Sequence, residues 1–216
     1  MRDITPIIQA FSSGYIMVVP PGNALPARTV QEVIAYATAN PGKVNYGSSG
    51  VGSFLHLGTE LFLAMAKVKM NHVPYKGAGP ALNDLMGGQI HLVLGSLTVA
   101  GPLMKANRMR GIAVTTAKRW PDYPDIPAVA ETIPGYEAAV WYAMWGPARL
   151  PKEVVALWNR EIRRAIDLPE LKPRWSAEGV TPVGNTPEEF GKVVRADIAK
   201  WRDVAKAANL KPESAR

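Results

Sequence analysis

The chain has 216 residues, of which 47% are hydrophobic and 20% charged, enough to bury a sizeable core in one large domain or two small ones. No apolar run approaches the roughly eighteen residues of a membrane helix, and the opening MRDITPIIQAF lacks the basic, apolar and small-residue segments of an export signal. The absence of cysteine excludes disulfides, thiolate metal sites and thiol nucleophiles, and fits a reducing cytoplasm or a bacterial periplasm equally; the net charge of +7 suits anionic partners without choosing among nucleic acid, membrane surface and small carboxylates.

In chain order, GYIMVVPPG (14 to 22) predicts a strand closed by a Pro-Gly turn, and TVQEVIAYATAN predicts a helix with Val30, Val33, Ile34 and Ala37 on its apolar face. Thr29 and Glu32 form a capping-box pattern at its start, and NPG stops it. A strand at KVNYGSS, a helix over about 53 to 66, a strand at MNHVPYKG and a helix from Pro80 to Gly87-Gly88 follow. QIHLVLGSL, a short helical AGPLMKAN and MRGIAVTT continue the alternation, which predicts an α/β fold with a mostly parallel sheet and helices on its faces. The segment 117 to 135 carries four prolines and few periodic apolar residues, as a connection would, and a boundary is expected near it. Beyond it, AAVWYAMWGPA reads as a buried strand, PKEVVALWNREIRRAI as a helix and GVTPV as a doubtful strand. The last helix opens with Thr186, Pro187 and Glu189 in a second capping box, and Phe190, Val193, Val194, Ile198 and Trp201 form its stripe. Two late helices with so little sheet to cover are a shortage that calls for a cause.

The stretch VNYGSSGVGSFLHLGTELFLAM (44 to 65) turns from a strand through a knot of glycine and serine into a helix. Such a turn aims unpaired N–H groups and the positive end of a helix dipole at one spot, which attracts anions. Gly50 and Gly52 let the backbone approach a ligand closely, and Ser48, Ser49 and Ser53 add hydroxyls that donate to a carboxylate or phosphate. No lysine follows as a P-loop demands, and Leu55 stands where a dinucleotide fingerprint needs its third glycine. The plainer reading is a helix cap at Ser53 and a tight turn. HVPYKGAGPAL (72 to 82) repeats the theme, with Tyr75 and Lys76 ahead of Gly77 and a helix, so two anion-friendly turns fall at one edge of the sheet.

Catalytic machinery is scarce. His56, His72 and His91 show no metal-ligand spacing, no G-x-S-x-G elbow occurs, and neither a metal nor a cofactor is expected. The best enzymatic assembly is Ser49 with His56 and Asp84 as orienter; the blander reading makes His56 a half-buried helix residue that bonds back toward the loop. The basic residues Lys105, Arg108, Arg110, Lys118 and Arg119 are not interleaved with stacking aromatics, so no nucleic acid partner is expected. Trp141, Tyr142 and Trp145 read as core, or Trp141 as the wall of a cleft.

Taken together, NPGKVNYGSSGVGSFLHLGTELF, HVPYKGAGPALNDLMGGQI, RGIAVTTAKRWPDYPDIPAVAE and PVGNTPEEF, in order and evenly spaced, resemble the tripartite tricarboxylate transporter solute receptors, the Bug family of periplasmic binding proteins. The resemblance implies a type II periplasmic-binding-protein-like fold, two α/β lobes that close on a small organic acid as a Venus flytrap does, and no enzyme activity. It implies three segments: 1 to 13 as part of lobe 1 and hinge, 14 to 140 as lobe 2, and 141 to 216 as the return to lobe 1, with rotation near residues 13 and 140. It assigns Ser48, Ser49, Gly50, Gly52 and Ser53 to the carboxylate-holding turn, places Tyr75, Lys76 and Gly77 near it, and puts Trp141 where the family carries a bulky aromatic. Where many members read an Asp-Asn-like pair, this chain has Gly95-Ser96, which makes an amino-acid ligand less suitable and leaves Ser96 in the ligand set.

The family also carries an export signal and a front segment with a PAGGGTD-type loop, both ahead of the point where this chain starts. Lobe 1 is therefore expected to be incomplete, which accounts for the strand shortage and makes association with another copy an expected repair. The expected function is a periplasmic receptor that delivers a di-, tri- or aromatic carboxylate to membrane transporter subunits. A truncated receptor domain serving as a dimerising or interaction module stands as the alternative, and a serine hydrolase as a remote one.

Overall fold

The computed structural model describes residues 3–22, 25–177 and 179–210. The chain divides into two compact units, one made of residues up to 13 with 139–200, the other of 14–138 with residues from 201 onward.

The second unit is an α/β layer. Its sheet has the order β3-β2-β4-β1-β5, formed by β1 (Ile4–Val19), β2 (Asn45–Ser48), β3 (Asn71–Pro74), β4 (Leu92–Ser96) and β5 (Arg110–Val114). β2 runs parallel to both β3 and β4, with Tyr46 opposite His72 and Leu92. The expectation of a mostly parallel sheet needs one correction: β1 lies between β4 and β5 and runs antiparallel to both. Strand-helix alternation describes only the strands joined by crossovers, and β1 precedes that winding; it occupies the strand position that the β4-to-β5 crossover leaves vacant. β1 also begins at Ile4, ten residues before the predicted start at Gly14, because polar Thr5, Ser12 and Ser13 mask its apolar alternation.

The helices form where their caps direct. Thr29 Oγ1 accepts the Glu32 N–H at the start of α1 (Val30–Ala39), while the Glu32 carboxylate accepts the Arg28 N–H. Ser53 caps α2 (Phe54–Ala66), Gly77 precedes α3 (Ala78–Met86) and Ser96 precedes α4 (Leu97–Lys105). Val33, Phe62, Leu82 and Leu85 from these helices pack on Met17, Tyr46, Leu92 and Leu94 of the sheet, all buried. The proline-rich stretch expected to mark a boundary belongs instead to this core: Trp120, Val129 and Ile133 are buried, as is Tyr136 just after it, and Ala128 bridges Val114. Its prolines shape an extended cover rather than a linker, and the division falls after Ala138.

In the first unit, the early part of β1 pairs with β6 (Ala139–Pro147) and β7 (Thr181–Pro182). α5 (Lys152–Ile166), α6 (Lys172–Ala177) and the part of α7 (Pro187–Ala207) up to Lys200 accompany them. The Thr186 box is reciprocal, with the Thr186 N–H on the Glu189 carboxylate and the Glu189 N–H on Thr186 Oγ1. Ile7, Ile8 and Ile166 form a small core. β6 is a strand as expected but not a buried one: Trp141 and Ala143 are half-buried, while Tyr142, Met144 and Trp145 are exposed. An unbroken apolar run does not encode which of its two faces is covered. The α7 stripe divides as well, with Phe190 and Val194 buried and Ile198 exposed.

Candidate functional site

Three strand-to-helix turns share the carboxyl edge of the second unit's sheet. β2, β3 and β4 run in the same direction, so the Ser48–Ser53 turn into α2, the Tyr75–Gly77 turn into α3 and Ser96 at the start of α4 all leave from that edge. The first two turns touch: the Tyr75 N–H donates to the Ser48 carbonyl at 3.0 Å. Each helix start exposes N–H groups without intrahelical partners, and three positive dipole ends at one edge make it suited to anions.

The first turn is held from below. Ser48 is fully buried; its hydroxyl accepts the Gly50 N–H at 3.1 Å, lies 3.0 Å from the Gly50 carbonyl and meets His72 Nε2 at 2.6 Å. The Gly52 N–H donates to His56 Nδ1 at 3.0 Å, and Ser53 Oγ accepts the His56 N–H at 3.4 Å. Gly50 (φ 129°) and Gly52 (φ 74°) both occupy backbone regions that side-chain-bearing residues avoid, which is why the knot contains glycine. Between them Val51 is 60% exposed, at the tip of the turn. Ser49 and Ser53 are half-buried, and Phe54 and Leu55 open the first turn of α2 directly after Ser53.

Under the turn sits a stack of rings. His56 and His72 lie face to face with centroids 3.7 Å apart and planes 11° apart, and Tyr46 flanks the pair, 5.0 Å from His72 and 6.2 Å from His56. Glu60 accepts a short hydrogen bond from the Tyr46 hydroxyl and stands 3.9 Å from His56 Nε2. Burial pushes both imidazoles below the ordinary histidine range, His72 to about 4 with the neighbouring His56 adding to the effect, whereas Glu60 pulls His56 back upward. Burial, then the bond to Glu60, drives the Tyr46 phenol far above its usual range.

Nine of the ten residues expected in the ligand set, Ser48, Ser49, Gly50, Gly52, Ser53, Tyr75, Lys76, Gly77 and Ser96, thus stand on one edge of one unit. Within the nine, roles separate. Tyr75 donates to the Asp84 carboxylate at 2.8 Å, and burial followed by that bond pushes its phenol up to about 12. Lys76 is exposed and forms no ion pair among the described residues. Ser96 Oγ lies 3.2 Å from Thr98 Oγ1. Trp141 belongs to the other unit, where its indole donates to Asp197 at 2.6 Å and packs edge-on against Trp145 and Phe190. The Ser49, His56 and Asp84 assembly is not formed: His56 Nδ1 is taken by Gly52, and Asp84 by Tyr75. His56 does bond back toward the loop as read, though it is buried rather than half-buried. The Ser48–His72 contact and the histidine stack were absent from the sequence reading; the only signal was His72 within the second turn motif.

A groove of about 970 Å³ lies in the first unit, bordered by Thr5, Leu150, Asn159, Glu188, Lys192 and Arg195. None of the ten expected residues borders it. Among the described residues no cluster of three or more metal-ligating side chains occurs, and no helix is long and apolar enough to cross a membrane.

A protein of Pseudomonas sp. strain P51, described as the UPF0065 protein in the tcbD-tcbE intergenic region, is 32% identical over 203 residues, covering 93% of this chain and 60% of its own length. Protein BugT of Bordetella pertussis is 28% identical, over 98% of this chain and 64% of its own. The chain thus spans less than two thirds of these relatives. Among solved structures, R. palustris Rpa4515 with adipate superposes with a TM-score of 0.83 at 38% identity, covering 96% of this chain and 69% of that one; the periplasmic binding protein BugD gives 0.79 at 26% identity, covering 96% and 70%. A model of the family described as tripartite tricarboxylate transporter family receptor matches residues 1–210, and the chain belongs to that family.

Proposed function

We propose that this chain is a solute-binding receptor that captures a small organic acid, a dicarboxylate of the adipate class, for a tripartite uptake system in the periplasm. The observation that carries the proposal is the convergence of three helix starts, at Ser53, Gly77 and Ser96, on one sheet edge. A carboxylate there meets the Phe54 and Leu55 amides, the Ser49 and Ser53 hydroxyls, and the positive ends of aligned helix dipoles. Ser48 and Gly52, engaged by the histidines, shape the grip rather than supply it. The adipate held by a relative with 38% identity supports a flexible dicarboxylate over an aromatic acid. The receptor nature of the family supports binding without turnover, and membrane transporter subunits follow as the partners.

The test is a thermal melt of the whole chain with succinate, adipate, citrate and benzoate in turn, followed by calorimetric titration of any acid that acts. A ligand that binds only the folded state at a hundred times its Kd adds about 2.7 kcal/mol of stability. Adipate is expected to raise the midpoint most, without being consumed. Failure of every carboxylate both to move the midpoint and to release heat overturns the proposal.

A further inference from the structure

The histidine pair under the turn is an unusual foundation for an anion grip. Each ring has one nitrogen committed to the turn itself: His56 Nδ1 accepts the Gly52 N–H, and His72 Nε2 meets the Ser48 hydroxyl. The Gly52 bond exists only while His56 Nδ1 lacks a proton, because an N–H cannot accept a hydrogen bond. Protonation there sets two donors against each other, and the Gly52 end of the turn must let go. At His72 a proton on Nε2 forces the Ser48 hydroxyl to point its hydrogen at the Gly50 carbonyl, which fixes the other end of the turn in one state. Two rings 3.7 Å apart also cannot both carry charge without strong repulsion.

The surroundings oppose charging from most sides. α2 brings Glu60, β2 brings Tyr46, and β3 brings His72 itself. β4 contributes apolar Leu94 beside Gly58, while His91 sits at the far end of β2, accepting the Asn45 N–H. Among the described residues Glu60 is the acidic group that faces His56, and its nearer oxygen already accepts the Tyr46 hydroxyl.

We infer that His56 and His72 are positioning residues whose neutral, stacked state holds the Ser48–Ser53 turn in its carboxylate-gripping shape, so that acidification releases the ligand by loosening the turn. The inference rests on the receptor reading above and adds a regulation to it. Burial disfavours the charged form of both rings, so the release belongs below the ordinary histidine value, His72 itself taking up its proton at about 4.

The experiment is calorimetric titration of adipate into the whole chain from pH 7.5 to 4.5, on the native protein, His56→Asn and His72→Gln. Asn at 56 offers an amide oxygen in place of Nδ1, and Gln at 72 an amide group in place of Nε2; neither titrates. Protonation of adipate is common to all three and forms the background. Native affinity is expected to fall below pH 6 more steeply than the background, by up to about tenfold per pH unit for one coupled proton. His56→Asn is expected to remove the excess slope, whatever its affinity at neutral pH. In parallel, the Gly52 amide resonance is expected to move with the His56 titration in the native protein and to stay still in His56→Asn. Equal pH slopes in all three proteins, or a Gly52 resonance indifferent to pH, overturn the inference while leaving the receptor reading intact. No binding by any of the three at any pH overturns the receptor reading and the release with it, and the Gly52 resonance then decides whether the histidines hold the turn.

Discussion

Replacing Gly52 probes the anion grip through its backbone. A Cβ built on Gly52 meets nothing within 4 Å, so a side chain there causes no clash, and the whole effect must come from its φ of +74°. A residue other than glycine held in that region costs about 1–2 kcal/mol, with asparagine at the low end because it tolerates left-handed backbone. For a chain of this length each kcal/mol lowers Tm by about 2–4 °C, so Gly52→Val is expected to lower it by about 2–8 °C. The alternative response is for the turn to relax to negative φ, which breaks the 3.0 Å bond to His56 Nδ1 and spoils the carboxylate grip. Valine, which tolerates left-handed backbone poorly, is expected to take the second course, so Gly52→Val loses adipate binding and leaves the second unit folded, while Gly52→Asn retains most of the stability and part of the affinity. The assay is a calorimetric melt paired with adipate titration across Gly, Asn, Ala and Val. Equal stability and affinity in all four refutes the reasoning; equal loss of affinity in Asn and Val with unchanged Tm shows that bulk at the tip, not backbone strain, is what matters.

Three further predictions concern the framework. Gly47→Ala puts a methyl 2.5 Å from Ile90 Cδ1 and 3.1 Å from Val93 Cγ2 in the buried face of β2, and is expected to cost about 1–3 kcal/mol by urea denaturation. Trp141→Phe keeps the aromatic contacts with Trp145 and Phe190 but removes the 2.6 Å bond to the Asp197 carboxylate; a loss of about 1.5–3 kcal/mol is expected for a bond to a charged partner, read from the first unit's tryptophan fluorescence. Because His56 and His72 titrate below the ordinary value of 6.5 when folded, the unfolded chain binds more protons beneath that pH; the urea midpoint therefore falls from about pH 6.5 toward about pH 4, where folded His72 also takes up its proton. Glu131, held down to about 2 by Arg119, acts only in the more acidic range, so the slope above pH 4.5 belongs to the histidines and is expected to shrink in His72→Gln.

The helices were readable because their starts are written locally: Thr29, Ser53 and Thr186 each stand within three residues of the groups they satisfy. The anion edge was readable for the same reason, as strand, turn and helix start are consecutive in sequence. What lay beyond reading depends on pairing between distant segments. His56 and His72 are sixteen positions apart and meet only because the β2–β3 register sets His72 opposite Tyr46, above which α2 returns. The direction of β1 likewise depends on which gap it fills, and the exposure of β6 on what covers Tyr142 and Met144; neither is a property of the strand's own residues. Trp120 and Ile133 looked like connector residues because prolines break the periodicity by which buried segments are recognised.

The exposed Val51, raised between two conformationally special glycines at the tip of the turn, has a practical use. The chain contains no cysteine, so a single Cys placed at position 51 is the only thiol a maleimide dye can reach. An environment-sensitive fluorophore there stands at the exposed tip of the turn, where ligand binding at the edge is expected to change its colour or brightness. Under the receptor reading proposed above, the labelled protein becomes a reagentless optical sensor for the bound acid, its working range tunable through the residues that shape the turn.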